Sequence, residues 1–288
     1  MSRRATTRLR QIVTRSQLAF LMEAPDGGSA RIVQEAGFEG VWAVFPRRAN
    51  RSRRSCWPPA KARISAGSPR APKAMLKVQG RPILARLLDD FAAFGCRNVT
   101  VVRGHRAEAV DVPAARFVDN PDFASTSEAY SLALAEEHLT AGTLVAFGDI
   151  VLKRHIIQAL LEEADAGITL AVDSALAGTP KADRVLGDRA DTGRFSFEDV
   201  RLRAIGDGVA PETSHGVWIG LLHVGRDGAA WPTEAIAESR ADGTLQRARF
   251  SDLLTRVLAH GRPVRVVYHR GGWVNVNDLA DLVDASGL

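Results

Sequence analysis

The chain has only two cysteines, Cys56 and Cys96. Two thiols do not make a disulfide framework, and with no signal-peptide pattern they point to a reducing, cytoplasmic setting. No apolar run approaches the ~18 residues that a membrane-crossing helix needs, so no membrane partner is expected. Seven histidines are scattered without the spacing of a metal cluster. Among them His105, His215 and His269 read as surface or internally satisfied residues. No nucleophile, histidine and acid fall into a triad-like pattern. Acids are scarce in the first quarter. Residues 1–72 carry 14 Lys and Arg against 4 Asp and Glu, a balance of +10, so the remainder of a chain of net charge +5 stands at −5. The arginines alternate with Pro, Ser and Ala rather than with stacking aromatics, which argues against nucleic acid as a partner. The alternative reading is a non-catalytic nucleotide- or RNA-binding protein that uses this basic quarter.

What is present is ordinary for a globular α/β protein. Hydrophobic residues make up 45% and charged residues 25% of 288, enough for one large domain or two small ones. Three zones differ in texture. Residues 1–45 hold one βα unit and the start of the next strand: Phe20-Leu21-Met22, a helix from Ala30 to Ala36 that Ser29 could cap, and Gly40-Val41-Trp42-Ala43. Residues 46–71 are irregular and rich in Arg and Pro. From residue 72 strands and helices alternate. Helices are expected over Ile83 to Phe94, Ser127 to Leu139, His155 to Ala164 and Phe250 to His260. Strands are expected over Asn98 to Val102, Thr143 to Phe147, Ile168 to Val172, Trp218 to Val224 and Val264 to Tyr268. Such alternation predicts a mostly parallel, Rossmann-like sheet covered on both faces, with ligands beyond the carboxyl ends of the strands.

Two positions have chemistry that can be read from the residues. Asp149 ends an apolar strand in Phe147-Gly148-Asp149-Ile150. A carboxylate there can hold Mg²⁺, which prefers hard oxygen ligands, or it can cap the next helix. Lys73 follows Pro72 and offers a compact cation suited to phosphate oxygens.

The run from Pro72 through Lys73 and Gly80-Arg81-Pro82-Ile83-Leu84 resembles the sugar- and alcohol-phosphate nucleotidyltransferases, over nearly all of residues 72–288. That resemblance implies a sheet of the nucleotide-diphospho-sugar transferase type, a triphosphate ligand at Lys73 and a Mg²⁺ site at Asp149. It implies that Asn277, in Gly272-Trp273-Val274-Asn275-Val276-Asn277, completes the metal site, although Asn277 also suits a helix N-cap. Asp119-Asn120-Pro121 through Thr126-Ser127 and Tyr130-Ser131-Leu132 resembles cytidylyltransferases acting on phosphocholine- and aminoethylphosphonate-like substrates. There Asn120, Thr126 and Ser127 would contact nucleotide or acceptor, or simply open a helix. Gly216-Val217-Trp218-Ile219-Gly220-Leu221 is similar to the family's Gly-Glu-x-Ile-Gly-Leu, with Val217 in place of the acid and Trp218 as a candidate substrate contact. The implied reaction is transfer of a cytidylyl group from CTP to a phosphonate or phosphate acceptor, with release of pyrophosphate.

The family's Leu-Ala-Ala-Gly-x-Gly phosphate loop should stand just before Lys73 and does not. Residues 6–43 are instead similar to the first βα unit of phosphoenolpyruvate mutase, of the isocitrate lyase-like superfamily. The later barrel strands are missing, so mutase activity is not expected, and the chain resembles a mutase–nucleotidyltransferase fusion with its middle removed. The codons between are informative. When each codon's third base is joined to the first two of the next, Cys56 and Trp57 must give Leu, and Trp57 and Pro58 must give Ala. Pro58 with Pro59 permits Ala, and Pro59 with Ala60 and Lys61 with Ala62 permit Gly. The absent loop is thus legible in a shifted frame across residues 45 to 71. The competing reading is an arginine-rich linker.

Overall fold

The computed structural model describes residues 72–96, 98–110, 115–162, 167–179, 182–193, 199–277 and 279–288. The mutase-like segment, the irregular segment 46–71 and the shifted-frame loop lie outside the described residues.

The described chain opens with a 3₁₀ turn, Lys73–Met75, and a tight hairpin of β1 (Lys77–Val78) and β2 (Arg81–Pro82). Gln79 and Gly80 both take positive φ, 52° and 82°, which a two-residue hairpin requires. Pro82, whose fixed φ suits a helix entry, leads into α1 (Ile83–Ala93). That helix buries Ile83, Leu84, Leu87, Leu88 and Phe91 along one stripe. Next come β3 (Thr100–Arg103) and β4 (Arg116–Asp119), which pair in parallel. They are followed by α2 (Glu128–Ala133), β5 (Thr143–Ala146), β6 (Ile150–Leu152), α3 (Arg154–Leu161) and β7 (Ile168–Asp173). The second half runs β8 (Arg184–Gly187), β9 (Val200–Ile205), β10 (Gly216–Val224), α4 (Trp231–Ala241), α5 (Phe250–Ala259), β11 (Val264–His269), β12 (Trp273–Asn275) and α6 (Leu279–Ala285).

The α/β class and most expected elements are present. The helix expected over Ser127 to Leu139 is shorter. It stops at Ala133 and tightens into a 3₁₀ turn, Glu136–His138, which buries both Ala135 and Leu139.

The expectation of a mostly parallel sheet needs correcting. The main sheet has the order β5-β10-β7-β11-β9-β8, and only the β7–β11 pair within it is parallel. The cause lies in the connections. A parallel neighbour needs a crossover of a dozen or more residues, usually a helix. After β7 the chain instead makes the β8–β9 hairpin and returns through a 3₁₀ turn, Pro211–Thr213, into β10. β10 is therefore antiparallel to β5, β7 and β8. Because β5 and β7 both oppose β10, they run the same way, as does β11. The carboxyl ends of these three strands share one edge of the sheet.

One large core joins the sheet to α1, α3 and α5. A second, small cluster of Val78, Ile83, Val151, Val276 and Ala285 binds the opening hairpin to β6, β12 and the last helix. This small cluster lies directly under the candidate site.

Candidate active site

The opening run and the final loop meet although 204 residues separate them. Lys73 Nζ donates to Asn277 Oδ1 at 3.1 Å. The neighbours of both residues explain the meeting. Ala74, beside Lys73, is buried in the main core, while Val276, beside Asn277, is fully buried against Val78 and Ile83. Both side chains are thereby held at the rim of packed structure.

Asp149 joins them through the backbone. β12 pairs antiparallel with β6, Asn275 opposite Ile150, and the ladder continues as Val276 N donates to the Asp149 carbonyl at 2.8 Å. Asp149 therefore stands one rung from Asn277, at the sheet edge beyond β5. Its residue is 1% exposed. Gly220 sets its approach. The bulge there, at φ 79°, brings the Gly220 carbonyl to Phe147 N at 2.8 Å, and a Cβ would collide with the Phe147 ring. Phe147 is held two residues before Asp149.

The donors suit a hard divalent cation. Asp149 offers a nearly buried carboxylate and Asn277 an amide oxygen that already attracts an ammonium group. Mg²⁺ is commonly bound through one or two protein oxygens plus substrate phosphates and water. Among the described residues no group of three or more His, Cys, Asp or Glu could hold a metal by itself. The residues present fit an ion shared with a triphosphate.

Asn120 and Thr126 make hydrogen bonds within the chain. Asn120 is 1% exposed at the end of β4. Its Nδ2 donates to Thr126 Oγ1 and to Ser131 Oγ, each at 3.0 Å, and its Oδ1 accepts from Asp122 N. Thr126 Oγ1 in turn donates to the Asp122 carbonyl. The polar atoms of Asn120 and Thr126 hold the loop that leads into α2. Ser127 occupies the N-cap position without a side-chain capping bond, and its N–H donates to the Gln246 carbonyl at 2.9 Å.

Trp218 is corrected from substrate contact to core. It is 4% exposed, packs between Phe147 and Phe250 at ring distances of 5.0 and 5.1 Å, and spends its indole N–H on the Leu221 carbonyl at 2.9 Å. A tryptophan so enclosed contributes packing, with its one polar atom satisfied inside.

Two features escaped the sequence reading. The first is Asp173 at the end of β7, 2% exposed, whose carboxylate receives N–H groups from Ala175, Gly271 and Trp273. Its signal was present, since an apolar strand ending in an acid is the pattern that drew attention to Asp149. The second is a charged knot. Arg249 contacts Asp183 and Asp207 at 2.8 Å each and Glu128 at 4.0 Å, and its backbone N–H donates to Asp252. Burial, with Asp183 adding like charge, pushes the Glu128 carboxyl up to about 8. Burial also raises Asp183, against the pull of Arg249. No local pattern announces this knot, because its members come from four separate parts of the chain.

Comparison with known proteins now has a geometry to rest on. Residues 49–190 match the family model of the MobA-like NTP transferase domain. That stretch is similar to nucleotidyltransferase domains, a class of enzyme. The match covers just under half of the chain and begins inside the irregular segment. A curated relative, CMP-5'-(3-aminopropyl)phosphonate synthase of Streptomyces rubellomurinus, is 34% identical over 146 residues, covering 46% of this chain and 23% of that protein. The chain spans less than half the length of the first curated relatives it matches. Among solved structures, CTP:phosphocholine cytidylyltransferase of Streptococcus pneumoniae is similar, with TM-score 0.58 and 13% identity over 94% of this chain and 98% of that one. The inositol-1-phosphate CTP transferase of T. maritima gives TM-score 0.57 and 14% identity over 75% and 86%. These likenesses establish the nucleotide-diphospho-sugar transferase fold.

Proposed function

We propose that the chain is a Mg²⁺-dependent cytidylyltransferase that joins CMP from CTP to a small phosphonate or phosphate acceptor of the 2-aminoethylphosphonate kind. The observation that carries this reading is the contact of Lys73 with Asn277, one rung from the Asp149 backbone and beyond the carboxyl edge of β5, where ligands of open α/β sheets bind. The aminopropylphosphonate relative supports the acceptor class. The mutase-like N-terminal segment fits the same phosphonate chemistry.

Asp149 and Asn277 would hold the metal ion, which when bound neutralises charge on the triphosphate. Lys73 is placed to bind phosphate oxygens and to offset the negative charge that grows on the departing group. Asp149 is nearly buried, so its charge acts at low dielectric. An acceptor oxyanion, already deprotonated at neutral pH, attacks the α-phosphorus in line. The α–β phosphoanhydride bond breaks and pyrophosphate leaves with its electrons. No general base and no covalent enzyme intermediate are required, and the chain's contribution is positioning and charge.

The rate in this chain is expected to fall below the ~10 s⁻¹ of an ordinary enzyme. Backbone N–H groups of a glycine-rich loop make an anion cradle, and the sequence of residues 46–71 lacks that Gly-x-Gly pattern. Pyrophosphate release from CTP with 2-aminoethylphosphonate tests the reading. Slow release that needs both Mg²⁺ and acceptor supports it. A gene whose frame is restored across residues 45–71 should turn over at least about 100-fold faster, which is several kcal/mol of lost charge stabilisation regained. Release that ignores the acceptor would contradict the proposal.

A further inference from the structure

The turn between β11 and β12 carries Asn277 into place, and it is tied down at several points. Gly271 and Gly272 both have positive φ, 63° and 79°, so the chain reverses sharply there. Asp173 Oδ2 accepts the Gly271 N–H at 3.1 Å and the Trp273 indole N–H at 2.7 Å. Asp173 Oδ1 accepts the Ala175 N–H at 2.9 Å, so both oxygens are committed. Neighbouring bonds reinforce the turn: Ser174 Oγ and Arg270 Nε both donate to Asp191 Oδ2, at 2.6 and 2.8 Å. On the far side the Gly272 carbonyl accepts Lys153 N at 2.8 Å, where β6 ends.

A buried carboxylate is costly unless it is well hydrogen-bonded. Asp173 is 2% exposed, and the groups that satisfy it are the turn and the first residue of β12. From Trp273 the ladder runs Trp273 opposite Leu152, Val274 opposite Val151 and Asn275 opposite Ile150. Two residues later Asn277 meets Lys73. We infer that Asp173 is a positioning residue of the site: its carboxylate grips the Gly271–Trp273 turn and, through β12, holds Asn277 in register with Asp149 and Lys73. It touches no substrate and works through Trp273. The inference rests on the proposed function for its catalytic consequence, while its structural content stands apart.

The test has two arms on the full chain. Amide hydrogen exchange, without ligands, compares wild type with Asp173→Asn and with the milder Trp273→Phe. Asp173→Asn turns one acceptor oxygen into a donor that faces N–H groups. Exchange over residues 270–277 should quicken by about 10-fold or more, with β7 and β10 nearly unchanged, since local opening reports the bonds that hold a segment. Trp273→Phe should quicken the same residues by less. In the second arm, both variants should raise the Mg²⁺ concentration for half-maximal transfer and lower kcat by about 10- to 100-fold, the usual cost of losing an outer partner of a metal ligand. The double variant should lose little beyond Asp173→Asn. Unchanged exchange over 270–277, or an equal rise in every strand, would overturn the inference. Should wild type transfer nothing, the functional reading falls, and the exchange arm still decides whether Asp173 holds the turn.

Discussion

Buried carboxylates are held in two opposite ways in this molecule. At the end of β7, Asp173 is satisfied by three neutral N–H groups. Across the sheet, Glu128 and Asp183 lean on one shared cation, Arg249. The N–H clamp fixes a geometry, because each bond has a direction. The arginine knot fixes a charge balance, and that balance is unequal: Asp207 also contacts the guanidinium, and Asp252 adds negative charge near Glu128. The clamp should therefore matter for placing atoms. The knot should matter for stability and its response to pH.

The sharpest way to break this contrast lies beside the site. Gly220→Ala forces a Cβ into the Phe147 ring at a positive φ, so strain and displacement both fall two residues from Asp149. We expect a loss of about 3 kcal/mol or more in urea unfolding, and transfer lowered beyond what the unfolded fraction explains. Arg249→Ala should come next. Removing the cation leaves the buried Asp183 without its counter-charge, and breaking such a partly buried pair costs about 2–4 kcal/mol. Denaturation midpoints at pH 7 would show it, and a change under about 0.5 kcal/mol would mean that the knot is ornamental.

The pH response sharpens the contrast further. Burial pushes the Glu128 carboxyl up to about 8 from an ordinary 4.5, so between these the folded state holds a proton that the unfolded state has lost. Stability therefore falls as pH rises from 4.5 to 8. His223, fully buried in β10, is pushed by burial down to about 4 from 6.5. For it the unfolded state binds the extra proton, and stability rises with pH from 4 to 6.5. The two slopes oppose each other up to pH 6.5, and above it Glu128 continues to pull stability down. Stability should be nearly level from pH 4.5 to 6.5 and then drop by on the order of 2 kcal/mol by pH 8. Glu128→Gln should abolish that drop. The smallest effect belongs to Arg240→Ala, whose partner Glu136 lies across an exposed pair at 3.0 Å; it should shift stability by less than about 1 kcal/mol.

Much of this was legible beforehand, and the rest was not, for physical reasons. Phe147-Gly148-Asp149 stood out because an apolar run ended in an acid. Lys73 stood out because it follows Pro72 and precedes Gly80-Arg81-Pro82-Ile83, which opens a helix. Asp173 ends Leu170-Ala171-Val172 in the same way. Its partners lie 98 and 100 residues later, and only the fold shows them converge. The β8–β9 hairpin was hidden because Arg201 and Arg203 punctuate β9 with charge. Without that hairpin the direction of β10 was unreadable, since strand direction follows from the connection rather than from the strand. Trp218 was misplaced for a related reason. A motif position gives no depth, and here the bulge at Gly220 folds the tryptophan into the core.

The central claim is nucleotidyl transfer at Asp149 and Asn277. The direct measurement is ³¹P NMR of the full chain with CTP, Mg²⁺ and 2-aminoethylphosphonate, run beside Asp149→Ala. Wild type should slowly build a CMP–phosphonate product together with pyrophosphate, and Asp149→Ala should be slower by about 1,000-fold, a loss of several kcal/mol of charge stabilisation. Product formed equally by both proteins, or by neither after prolonged incubation, would contradict the account.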